Sequence, residues 1–328
     1  KRVLVVSELE LYKEVIVKQR DTFVKGSTLN EVRAINKGRS SILDADGESW
    51  KNLRAELTPV FTPKNLEELR SIAKSHVESD LKLFDTETVV DDTEVLMGKM
   101  ALGITSKFFI GYDFKLTKEE VSNSQQPCDE FYTYQKFLIA ELTKRMQYGP
   151  LWKYLPTLNN LKFSKFIRNG KAFVQKEIDS PNGSTALVKH LRQECELDNE
   201  AIIGHVYGLV GASFESTAIS LSWFLYFMAL NPALQDELVS DLRTGGEAAL
   251  ENYISETLRL RPAFPMLFRE ARCNATLPFK DNKIEVRKGD LIFTLLGNIL
   301  SNEDVWGSDY QDFRPARFDE LTPQQRKS

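Results

Sequence analysis

The longest apolar run in the chain, residues 201–230, is hydrophobic on nearly every side. It predicts a helix about 45 Å long that passes through the core. Asp198 stands where a short side chain caps such a helix. Pro232 opens another helix over 232–242, and Gly245-Gly246 turns the chain into a third. On that third helix Leu250, Tyr253, Ile254, Thr257 and Leu258 recur at helical spacing, which predicts that this face points inward. Pro262 stops it, because proline pushes the preceding residue out of the α region. Upstream, the same periodicity predicts helices over 9–18, 48–57, 65–84, 95–109, 130–146, 163–178 and 184–196. Residues 148–166 are aromatic, carry Pro150 and Pro156, and predict a packed loop. Strands are expected at Val3–Val6, at 265–272 and at 283–287, with Lys288-Gly289-Asp290 turning the chain into a return strand at 291–293.

Composition narrows the function classes. With 328 residues and 42% hydrophobic content, the chain can build one large core or two small ones. A net charge of −4 argues against a nucleic-acid binder driven by phosphate contacts. The cysteines, Cys128, Cys195 and Cys273, form no CxxC pair and suggest free thiols in a reducing compartment. His76, His190 and His205 have no metal-ligand spacing. The N-terminus lacks the long apolar run of a signal peptide, and residues 219–230 are too short and too interrupted by serines to span a bilayer.

Three places carry polar chemistry out of keeping with their surroundings. In the middle of the apolar helix sit Ser213, Glu215, Ser216 and Thr217, in Gly211-Ala212-Ser213-Phe214-Glu215-Ser216-Thr217. An acid and three hydroxyls confined to one turn need a partner or a purpose, since buried polar groups are costly unless bonded. Glu256 and Arg259 lie three apart on one helix, either as a solvated ion pair or as part of something larger. Trp50 and Arg54 share a helical face beside Leu53 and Leu57. Further on, Phe313-Arg314-Pro315-Ala316-Arg317-Phe318 brackets Arg317 between apolar anchors.

Taken together and in this order, these segments resemble the cytochrome P-450 family of haem-thiolate monooxygenases. Trp50-Lys51-Asn52-Leu53-Arg54 is similar to its Trp-x-x-x-Arg, and Ala212 to Thr217 to the oxygen-side Ala-Gly-x-Glu-Thr-Thr. Glu256-Thr257-Leu258-Arg259 matches Glu-x-x-Arg, and the segment 313–318 resembles Phe-x-Pro-Glu-Arg-Phe. Departures are Ser213 for a usual Gly, Ser216 for a usual Thr, and Ala316 for the Glu of the last motif.

The resemblance implies the mainly α cytochrome P-450 fold with small β-sheets, as a single domain over 1–328 that is incomplete at both ends. It implies a haem b cofactor, with Trp50, Arg54 and Arg269 on its propionates and Ala212 against it. It gives Glu215, Ser216 and Thr217 the catalytic proton chemistry, and makes Glu256, Arg259 and Arg317 a structural charge cluster. Phe214, Pro265, Met266, Leu267 and Phe268 would line the substrate site. No cysteine of this chain sits in the family's haem loop, so the proximal Cys is expected after Ser328. Two explanations stay open: a piece of a longer enzyme, or a haem-free binding or scaffold protein. The enzyme would insert one oxygen atom from O2 into an apolar organic substrate. Its electrons would come from a redox partner, an NADPH-linked reductase or a ferredoxin. Expected locations are the cytosolic face of the endoplasmic reticulum membrane or the cytoplasm, with attachment through an anchor ahead of Lys1 left open.

Overall fold

The computed structural model describes residues 2–36, 39–85, 88–123, 130–148 and 157–322. The chain is mainly helical with one four-stranded and one two-stranded sheet, the class expected from the sequence. Its contacts fall into two units: residues 24–215, and residues 1–23 with 216–328.

Unit 24–215 is all helix. Its longer elements are Gly47–Leu57, Pro63–Asp80, Thr93–Ile110, Glu130–Tyr148, Leu158–Ile178 and Ala186–Gln193, followed by the first half of Asn199–Leu230. Local chemistry sets the starts. Thr62, Asp92, Thr157 and Thr185 each accept a backbone N–H from the first turn of the helix they precede. Asp198 does the same as expected, taking the N–H of Ala201 at 2.8 Å. Thr157 is why the predicted loop over 148–166 is only partly a loop: its cap begins the helix at Leu158, five residues before the sequence pattern suggested. Pro150, Pro156 and Cys128 lie outside the described residues. The core joins Leu102, Ile110, Phe131, Phe163, Val174, Leu187, Leu191, Ile202, Val206 and Phe214.

Close crossings in this unit use glycines. A side chain at Gly98 would press on the Tyr132 hydroxyl, and one at Gly211 on the Gln135 amide. Gly111 ends Thr93–Ile110 with φ +71°, and a Cβ there would collide with the carbonyl of Asn182. Gly111→Ala should therefore cost more than the ~1–2 kcal/mol of a left-handed alanine, read as a lowered denaturation midpoint.

The second unit holds the sheets. Strand β1 (Val3–Val6) runs parallel to β6 (Leu291–Leu295), and β3 (Met266–Ala271) pairs antiparallel with β6, Phe268 facing Phe293. Strand β2 (Phe23–Val24) begins on the outer edge, in the order β1-β6-β3-β2. The expected return of 291–293 onto 283–287 does not occur. Strand β5 (Asn282–Val286) pairs with β4 (Ala275–Phe279), a strand the sequence pattern did not suggest. The cause lies in the Lys288-Gly289-Asp290 turn. Gly289 donates its N–H to Ala271 at 2.7 Å, and Asp290 accepts from Arg287 N and Arg2 Nε. These bonds hand the chain over to the larger sheet. The helix expected over 9–18 also changes character at Glu14, where its turns widen and Gln19 bonds back to the Glu14 carbonyl.

The long helix is not buried all round. Positions Ile202, Val206, Val210, Phe214 and Ala218 form one buried stripe, while Leu221, Leu225, Tyr226 and Leu230 are exposed. Among the described residues no single helix is long and apolar enough to cross a membrane. The pair Asn199–Leu230 and Pro232–Arg243 passes by length and composition, bent by 111°.

Candidate functional site

The helix Glu247–Leu260 buries Tyr253 and Thr257 of the expected face, but the buried side is rotated toward Glu256. Asn252, Tyr253, Glu256, Thr257, Arg259 and Leu260 are buried, whereas Ile254 and Leu258 are exposed. Charge overrides the apolar periodicity here because Glu256 is fully satisfied. Its carboxylate accepts from Arg259 Nε at 2.6 Å and Nη2 at 3.0 Å, from Arg317 Nε at 2.8 Å and from the Arg314 backbone N–H at 2.9 Å. The remaining guanidinium donors go to carbonyls and, from Arg317 Nη1, to the Asp309 carboxylate at 3.4 Å. Arg259 donates to Tyr310 and Asp312, and Arg317 to Asp309 and Asp312. Both cations also lie within 6 Å of the Trp306 ring centre. The structure thus brings Glu256, Arg259 and Arg317 together. It adds Trp306 and the carbonyls of 309–312, which no sequence motif signalled.

The pleat of β3 divides the expected lining residues. Alternate side chains of a strand point to opposite faces, so Met266 and Phe268 share one face, and Leu267 and Arg269 the other. Phe268 packs edge-on against Phe293 with centroids 4.9 Å apart. Pro265 and Met266 are exposed, Leu267, Phe268 and Arg269 half-buried. Pro265 precedes the strand, and Met266, Leu267 and Phe268 alternate between its two faces. Arg269 donates to the carbonyl of Phe268 at 2.8 Å.

In unit 24–215 the Arg54 guanidinium sits 5.6 Å from the Trp50 ring centre on one helix face. Arg54 is exposed, and among the described residues no carboxylate pairs with it. An indole N–H beside an uncommitted guanidinium is a donor set matched to a carboxylate, which is how these residues fit a haem propionate. Ala212 is exposed on the long helix. Phe214 is fully buried in the core, its ring 5.7 Å from that of Tyr132. The i, i+4 spacing from Val210 sets it on the buried stripe.

Glu215 is three-quarters buried and meets Lys136 Nζ at 3.5 Å. The same ammonium lies 3.2 Å from Glu94. Burial pushes the Glu215 carboxyl above its ordinary range, Lys136 pulls it down, and Glu94 pushes it up. Sequence reasoning missed both partners. The signal available was Lys136 within the aromatic stretch 131–137 of the helix Glu130–Tyr148. In the other unit Ser216 is half-buried and Thr217 exposed. Nearby serines bond back to their own helix: Ser213 to Val210, Ser220 to Ser216, and Ser222 to Ala218.

Among the described residues no cluster of three His, Cys, Asp or Glu could hold a metal ion. Cys273 is exposed between β3 and β4. Cys195 is half-buried 3.4 Å from His190 Nε2, and burial raises its thiol.

The family model for Cytochrome P450 matches residues 1–328. The chain is 24% identical to "Cytochrome P450 monooxygenase alt2" of Alternaria solani, over 98% of this chain and 68% of that protein. It is 26% identical to "Cytochrome P450 52E2" of Candida apicola, over 86% of this chain and 60% of that protein. It is 22% identical to "Putative cytochrome P450 CYP13A2" of Caenorhabditis elegans, over 99% of this chain and 72% of that protein. The chain thus spans about two thirds of the length of such relatives.

Proposed function

The chain belongs to the cytochrome P450 family, and from that premise we propose that it serves a haem-dependent monooxygenase acting on an apolar organic substrate. When bound, haem would supply the activation of O2 and the insertion of one oxygen atom. The chain's own residues bind, orient and move protons. Trp50, Arg54 and Arg269 would hold the propionates by charge-assisted hydrogen bonds. Ala212 keeps the long helix small where the cofactor lies. Glu215 supplies protons, with the hydroxyls of Ser216 and Thr217 holding the proton or a water in place. The Glu256, Arg259 and Arg317 cluster fixes the 309–318 segment. Leu267, on the β3 face of Arg269, is our candidate for substrate contact.

The observation that carries this reading is the raised, lysine-paired carboxyl of Glu215 in the middle of an otherwise apolar helix. The raised carboxyl of Glu215 and the exposed Arg54 beside Trp50 support the enzyme reading over the haem-free scaffold. The thiolate ligand is assigned to a cysteine beyond Ser328, the electrons to a redox partner protein, and the two units to one domain. A membrane-associated location on the cytosolic side is part of the same proposal.

The test is the ferrous carbonyl spectrum of the full-length protein containing these residues. A Soret band at the thiolate-ligated position is expected. A full-length protein that takes up no haem under supplementation overturns the enzyme reading in favour of the scaffold.

A further inference from the structure

Two helix crossings in unit 24–215 converge on one lysine. Tyr132 of Glu130–Tyr148 lies against Gly98 of Thr93–Ile110, and Gln135 lies against Gly211 of the long helix. Residues four apart share a helix face. Lys136 therefore follows Tyr132 along its face, Glu94 precedes Gly98, and Glu215 follows Gly211. The close approaches allowed by the two glycines bring these three side chains together, with the ammonium between the carboxylates at 3.2 and 3.5 Å. Exposure of the three side chains is graded, 50% for Glu94, 31% for Lys136 and 23% for Glu215. No motif of the sequence marks this arrangement.

We propose that Lys136, shared with Glu94, is a positioning residue that holds Glu215 and sets its charge state for proton delivery. The inference rests on the catalytic reading of Glu215 given above. One ammonium cannot neutralise two carboxylates, so the trio carries a net negative charge when both are ionised. When Glu215 takes a proton from solvent, that excess is relieved and Lys136 keeps Glu94 as its counter-ion. When Glu215 gives the proton up to the reacting oxygen, Lys136 is already in place to receive the carboxylate. Lys136 stays protonated throughout, and the proton comes from water. A lone Lys–Glu pair lacks this property, because protonating its acid would strand a half-buried ammonium. Lys136 and Glu94 are the charged groups that bear on Glu215, and burial is the largest influence.

The test uses the full-length, haem-loaded protein. The carboxyl stretch of Glu215 is followed by infrared difference titration and assigned by its loss in Glu215→Gln. Lys136→Met should move the titration midpoint up, Lys136→Arg should leave it near the parent value, and Glu94→Gln should move it down. Opposite directions from neighbouring substitutions are not produced by a loss of packing. Coupled product formation should fall by up to ~10²-fold in Lys136→Met, the scale of a misplaced catalytic group, with its pH profile following the infrared midpoint. If Lys136→Met does not fold, Glu94→Gln, at the exposed end of the trio, decides the matter by the direction of its shift. A midpoint unmoved by the variants overturns the inference. Should the midpoint move while the pH profile of coupling stays fixed, Glu215 is not the proton source; the proposed role in delivery falls, and the enzyme reading is judged by the carbonyl spectrum alone.

Discussion

Glu256→Ala is expected to yield insoluble protein, or protein whose unit 1–23 with 216–328 unfolds far below the parent. The carboxylate is wholly buried, and Arg259 and Arg317 are 3% and 2% exposed. Removing it takes the carboxylate from buried Arg259, leaves buried Arg317 with only the more distant Asp309, and leaves the Arg314 N–H without its acceptor. Breaking a buried ion pair from one side costs about 3–5 kcal/mol, against a typical domain stability of roughly 5–15 kcal/mol. The carbonyls of Asp309, Tyr310 and Asp312 remain but only orient the cations, and the Asp309 carboxylate, 3.4 Å from Arg317 Nη1 and 35% exposed, offsets part of one charge. Glu256→Gln keeps the shape and some hydrogen bonds, so it should fall between Ala and parent. The control is Glu320→Ala, which removes an exposed partner of Arg314 and should cost no more than ~1 kcal/mol. Soluble yield and urea midpoints decide. Equal midpoints for Glu256→Ala and Glu320→Ala would refute the account of a buried cluster.

This cluster also marks the limit of periodicity. Leu250, Tyr253, Ile254, Thr257 and Leu258 obeyed helical spacing, yet Ile254 and Leu258 ended on the exposed side. A pattern of apolar positions measures the average tendency to be buried. It is silent on a specific set of hydrogen bonds from residues about 60 positions away. The long helices were legible, because capping residues and periodicity act within a few neighbours, whereas the short ones at Asn30–Ile35, Lys118–Ser122, Leu296–Leu300 and Glu303–Trp306 offered too few turns for a period to show. Strand pairing was not. Whether 291–293 returns to 283–287 or passes to the larger sheet depends on Ala271 and Arg2, which a local reading does not connect with the turn. The candidate acid was visible as an anomaly at Glu215, and its motif context supplied a role. Its partners Lys136 and Glu94 were invisible because three separate helices meet there.

Glu215→Gln should reduce coupled product formation by about 10²- to 10⁴-fold, the range for one positioned acid–base group, while leaving the fold intact. Burial raises the carboxyl, so the protonated form is favoured on folding. The associated stability is present below the unfolded value near 4.3 and is lost as pH rises through the higher folded value. Neutral glutamine removes that loss, so the variant's stability should fall less than the parent's as pH rises through this window. The parent's coupling should decline with rising pH through the same folded titration, because the donor form is being depleted. Ser216→Ala should have the smaller effect, roughly 10²-fold or less, with reductant still consumed but not converted into product. A serine makes the hydrogen bonds of a threonine without the methyl that restricts its rotamer. Ser216→Thr should therefore keep or improve coupling. The measurements are product formed per reductant consumed, against pH, for the three variants. If Ser216→Ala leaves coupling untouched while Glu215→Gln abolishes it, the acid works without that hydroxyl. Unchanged coupling in both variants of an active, haem-loaded protein makes the polar turn of the long helix a structural feature.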